Sequence, residues 1–116
     1  MEELAGRMDE LTEHRWGSDA PGQPWLGFDA GGRLYGSDGC NRLMGQWTVA
    51  GTAGDRLEFG RLVSTMMFCR DVDTWLLGAV AARWVRDPAG GRLEISNAAG
   101  DVIGVLERQE TATGLS

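Results

Sequence analysis

Eighteen of the 116 residues are glycine, and they are spread along the chain rather than clustered. Glycine weakens helix and strand interiors and is at home in tight turns. A chain interrupted this often reads as many short strands joined by turns. Eight segments fit: Glu13 to Gly17, Trp25 to Asp29, Arg33 to Gly36, Gly45 to Ala50, Arg56 to Phe59, Trp84 to Asp87, Arg92 to Ser96 and Val102 to Glu107. Alternation is clearest where Leu57 and Phe59 flank Glu58, and where Leu93 and Ile95 flank Glu94.

One segment departs from the strand period. Val72, Trp75, Leu76, Ala79 and Val80 recur at the spacing of a helical apolar stripe. Asp71 or Asp73 is placed to cap such a helix, and Gly78 weakens it by about 1 kcal/mol relative to Ala. A helix of about ten residues on a curled, barrel-like antiparallel sheet of about eight short strands makes the expected class α+β. Leu4, Met8 and Leu11 suggest a second, short helix at the N-terminus. The expected organisation is therefore an N-terminal extension over 1–12, one domain over 13–108 and a small, polar tail over 109–116.

The formal net charge of −6 argues against nucleic acid as a partner and against attraction to anionic membrane surfaces. No apolar run approaches the ~20 residues of a transmembrane helix. The first residues carry Glu2, Glu3, Asp9, Glu10 and Glu13, the reverse of a secretory leader. The chain as it stands reads as cytoplasmic, or as extracytoplasmic if an export segment has been removed.

No catalytic constellation is visible. The single histidine, His14, lies between Glu13 and Arg15 on a half-exposed strand, and neither Ser37 nor Cys40 sits in a nucleophile motif with it. Asp38, Asp71 and Asp73 read as turn and capping residues, since a calcium loop needs more oxygen ligands at alternating spacing. Two cysteines and one histidine at these spacings make no zinc site, so no metal and no cofactor is expected. Trp16, Trp25, Trp47, Trp75 and Trp84 can fill a small core with few residues. Met66, Met67 and Phe68 are different: three large apolar neighbours in a non-helical segment cannot all face one core. With Met44 they are the candidate apolar contact surface, for a protein or an apolar small molecule.

Two pieces of the sequence resemble a known family. One is Gly36-Ser37-Asp38-Gly39-Cys40-Asn41 followed by Gly45; the other is Thr65-Met66-Met67-Phe68-Cys69, just before the expected helix. In this order they resemble the META-type (HslJ-like) domain, whose likeness extends over about residues 11 to 108. Met66 stands where that family usually has Arg. The motif positions carried across are Gly36, Gly39, Cys40, Asn41, Gly45, Thr65, Met67 and Cys69. The resemblance implies an eight-stranded antiparallel sheet with a packed helix, links to stress response and envelope functions, and no catalytic residues.

Cys40 and Cys69, the only cysteines, lie one in each motif. They are either two buried thiols or one disulfide closing a loop of about 29 residues, the latter stabilising by roughly 3–4 kcal/mol. An oxidising compartment favours the bridge and a reducing cytosol the thiols. Gly39 and Asn41 read as turn-forming residues, the glycine supplying a positive φ and the amide bonding nearby backbone. The function expected is a non-catalytic structural or binding module. The alternative is a small thiol-dependent redox protein or enzyme using Cys40 and Cys69, since Cys69 precedes the expected helix and adjoins Arg70.

Overall fold

A computed structural model describes residues 10–18, 20–50, 55–87 and 90–109, with only the backbone described at Asp87 and Gly90. Nine strands account for about half of these residues: β1 (Trp16–Gly17), β2 (Trp25–Phe28), β3 (Arg33–Ser37), β4 (Arg42–Ala50), β5 (Arg56–Phe59), β6 (Val63–Ser64), β7 (Ala81–Asp87), β8 (Gly90–Ser96) and β9 (Val102–Glu107). Every pairing is antiparallel, in the order β1-β2-β3-β4-β5-β7-β8-β9, with β6 beside β4. The sheet curls until its ends meet. Trp16 bridges Arg108, and the Gln109 N–H donates to the Arg15 carbonyl at 2.8 Å. The result is a nearly closed eight-stranded barrel.

Alternation decides which side chains fill it. Leu34, Leu43, Trp47, Leu57, Phe59, Leu93 and Ile95 point inward and are buried, while Arg33, Tyr35, Met44, Arg56 and Glu58 point outward. Trp16 meets Trp84 edge-on at 6.2 Å, and Phe28 meets Trp47 edge-on at 5.6 Å. Such pairs add about 0.5–1.5 kcal/mol each beyond their buried area. Three of the five tryptophans are therefore core. Trp25 and Trp75 are half-buried, Trp25 beneath the Arg15 guanidinium and Trp75 over Gly104, packed against the core.

Nine-residue β4 organises the sheet. Its first half, Arg42–Gln46, pairs with β3, and its second, Trp47–Ala50, with β5. On the side away from β3, Leu43 and Met44 pair with Ser64 and Val63 of β6. The sequence placed the start of this strand at Gly45; it starts at Arg42 because Leu43 and Met44 continue the in-and-out alternation. Likewise β7 begins at Ala81 rather than Trp84.

The α+β expectation is corrected: the domain is mainly β. The expected helix over 72–80 is a single 3₁₀ turn, Trp75–Gly78. Its ends explain why. At the start, Asp71 is left-handed (φ 62°) and Thr74 makes no side-chain cap, so neither Asp71 nor Asp73 caps a helix. At the far end the sheet claims the chain, with the Val80 N–H donating to Ser96 and the Val80 carbonyl accepting from Phe59, both at 2.9 Å. Helix nucleation is costly, and one turn between two such anchors gains too few hydrogen bonds to extend. The apolar stripe is still used: Leu76 and Ala79 are buried and Trp75 packs against the core. Of the expected N-terminal helix, residues 10–13 are helical and the rest lies outside the described residues, as does the tail beyond Gln109. Leu11 is fully buried, and its carbonyl accepts a hydrogen bond from the Trp16 indole at 3.1 Å.

Candidate functional site

The loop between β3 and β4 is built on one buried carboxylate. Asp38 is fully buried, and its Oδ1 accepts from the N–H groups of Cys40 (2.8 Å) and Asn41 (2.6 Å). The Asp38 N–H donates to the Asn41 carbonyl at 3.1 Å, closing the turn. This is the Asx-type geometry that short acceptor side chains favour. Gly39 has φ 102°, and a Cβ there would press on the Gly22 carbonyl at 2.7 Å, so both conformation and space select glycine. The second oxygen of Asp38 has no partner.

The turn presents Asn41 to the second motif. Its Oδ1 accepts from the Met67 N–H (2.6 Å) and the Thr65 hydroxyl (3.0 Å), and its Nδ2 donates to the Met67 carbonyl (3.2 Å). One side-chain amide thus engages both backbone groups of Met67, as a neighbouring strand would. Thr65 continues the stitching. Its N–H donates to the Arg42 carbonyl at 3.1 Å, and its hydroxyl accepts from the Arg42 N–H at 3.0 Å. Beside this network Cys40 and Cys69 form a disulfide, with Cα atoms 5.8 Å apart. The two motifs, far apart in sequence, are one structural unit, and neither sulphur is a free thiol.

The unit displays what lies between its anchors. Met66, Met67 and Phe68 are 93%, 62% and 90% exposed, and Met44 and Val63 on the adjoining outer face are 65% and 63% exposed. A groove of about 430 Å³ runs beside this loop, lined on one wall by Ser64 to Cys69 with Asn41 and on the other by Val72, Thr74 and Leu77.

The other sequence candidates lie apart. His14 is half-buried before β1, with Nδ1 unpartnered. Asp71 and Asp73 are exposed. Among the described residues no three His, Cys, Asp or Glu side chains gather into a metal-binding group. Sequence reasoning missed β6 and its open edge, and missed that Asn41 reaches Met67. The Thr at 65 and Asn at 41 offered a hydrogen-bonding pair, but nothing in their spacing joins them.

A small antiparallel barrel, with a disulfide and an asparagine holding two loops together at one end, is the class of molecule defined here. The family profile of the META domain matches residues 4–110, and the chain belongs to that family. No curated protein and no solved structure gives a significant match.

Proposed function

We propose that this domain is a non-catalytic binding module whose contact surface is the Met66–Phe68 loop with Met44. The observation that carries the reading is the exposure of three consecutive large apolar side chains on a loop fixed by a disulfide and by Asn41. Soluble proteins rarely hold such a run open to water unless something covers it in use. Methionine suits the role, because its unbranched, polarisable side chain adapts to different partners. The disulfide supports a working place in an oxidising compartment. That agrees with the envelope and stress-response setting implied by the family. Among the described residues no helix is long and apolar enough to cross a membrane.

The test is native mass spectrometry of protein purified from its source, beside the double variant Met66→Ser, Phe68→Ser. A co-purifying protein or apolar ligand present on the parent and absent from a folded variant is the expected result. An identical bound set on both, or turnover of a small molecule dependent on Cys40 and Cys69, refutes the reading.

A further inference from the structure

Among the described residues β6 is paired on one side only, with β4. The Thr65 N–H bonds the Arg42 carbonyl, and Leu43 pairs with Ser64. In an antiparallel ladder hydrogen-bonded and non-hydrogen-bonded pairs alternate. Thr65 and Val63 therefore spend their backbone groups on β4. Those of Ser64 and Met66 point the opposite way, to a side where, among the described residues, β6 has no neighbouring strand. Ser64 and Met66 also line the groove of about 430 Å³, whose far wall presents Val72 and Leu77 beside Thr74. Unpaired backbone donors and acceptors along an apolar trough are the recognition surface for an extended chain.

Charge is sorted around this edge. On β5, β7 and β8 three of the four arginines are matched with acids, Arg56 with Glu58, Arg83 with Asp55 and Arg92 with Glu94, and the fourth, Arg86, lies over the Trp84 ring. The strands β2, β3, β4 and β6 contain no acidic residue, and among the described residues Arg33, Arg42 and Arg61 make no ion pair. Asp71 and Asp73 flank Val72 of the opposite wall, and Arg33, Arg42 and Arg61 give the β6 side a positive charge with no acid on its own strands. The net charge of −6 conceals it. The outer face also has an unfinished row, Tyr35 beside Met44 beside Val63, each exposed and each in register.

From these features we infer that β6 accepts an extended peptide segment of a partner protein as an added antiparallel strand. That segment is apolar where it faces the groove and acidic where it passes Arg42 and Arg61. Its backbone pairs with Ser64 and Met66, one side chain enters the groove against Val72 and Leu77, and its outward residue continues the row past Val63. This rests on the binding-module reading and deepens it by naming the occupant and its mode. Phe68 and Met67 then form a rim over the bound strand.

The experiment uses the full, oxidised protein, isotopically labelled, and a pool of acetylated and amidated octapeptides alternating apolar residues with Glu. In the free protein the amides of Ser64 and Met66 exchange with deuterium faster than those of Thr65 and Met67. Bound peptide slows Ser64 and Met66 by about tenfold or more, the protection of a formed hydrogen bond. Two controls remove only the backbone pairing. Ser64→Pro deletes an outward N–H at an edge position where proline is tolerated, and peptides N-methylated at alternate residues lose the matching donors. Each is expected to weaken binding by about tenfold or more while the melting temperature of Ser64→Pro stays near the parent's. Equal binding by the methylated peptides and by Ser64→Pro, with loss in Met66→Ser, Phe68→Ser, overturns strand addition and leaves the apolar-surface reading intact. Binding indifferent to all these changes overturns both, and an edge that no peptide of the pool protects overturns the inference.

Discussion

Replacing Asn41 by Ala removes a side chain that is 5% exposed and makes three hydrogen bonds, two to the Met67 backbone and one to the Thr65 hydroxyl. A buried intramolecular hydrogen bond contributes about 0.5–1.5 kcal/mol net, so three sum to about 1.5–4.5 kcal/mol. Met67 lies close to the surface, and water can take over part of its backbone bonding. The lower half of that range is therefore expected, about 2 kcal/mol. For a domain of this size each kcal/mol moves the melting temperature by about 4 °C, giving a fall of about 8 °C. The assay is thermal unfolding of parent, Asn41→Ala and Asn41→Asp, each oxidised and reduced. Asn41→Asp keeps an acceptor for the Met67 N–H but turns a carboxylate oxygen toward the Met67 carbonyl, so it melts no higher than Asn41→Ala. The disulfide stabilises chiefly by restricting the unfolded chain, whereas the amide acts through hydrogen bonds of the folded one, so the loss from Asn41→Ala is similar with and without the bridge. A change below about 2 °C in both states would refute the claim that this amide holds the two motifs together. A loss seen only after reduction would show that the bridge alone holds the loop.

Reducing the disulfide, or replacing both cysteines by Ser, lowers stability by about 3–4 kcal/mol in urea titration, and intact mass before and after reduction verifies that the bridge was present. Gly104→Ala sets a methyl into the Trp75 ring that covers it and destabilises by about 1–3 kcal/mol, read by the same titration and by a change in tryptophan emission. Phe68→Ser, at a side chain 90% exposed, alters stability by less than about 0.5 kcal/mol and lowers binding of a hydrophobic dye; a large loss of stability would mean that the loop packs on the barrel. Trp16→Ala, at a fully buried residue of β1, costs about 3–5 kcal/mol by chemical unfolding.

Much of the barrel was legible because its signals are local. Glycine-rich turns and alternation over Leu57–Phe59 and Leu93–Ile95 depend on neighbours in sequence, and the strands appear there. The 3₁₀ turn was misread for a physical reason. A stripe such as Val72, Trp75, Leu76, Ala79 and Val80 records which residues seek burial, and a coil folded across an open barrel end satisfies it as well as a helix does. What decided between them, the pairing of Val80 with Phe59 and Ser96, lies in other strands. The same holds for the site. The cysteines and the Met-Met-Phe run could be picked out one by one. Burial of Asp38 and the reach of Asn41 to Met67 follow from how β3, β4 and β6 are laid side by side. The two-residue β6 is too short to leave a periodic trace.

The seam between Trp16 and Arg108 has a consequence for biosynthesis. The first strand cannot find its second neighbour until almost all of the domain has been made, so a nascent chain can assemble hairpins in order but stays an open ribbon. Contacts of this span close late and slowly. During that interval the indole of Trp16 and the edge of β9 are uncovered, and a folding helper would meet the chain in this ribbon form. Substitutions along the seam are thus expected to reduce the yield of folded protein more than they reduce the stability of the molecules that succeed.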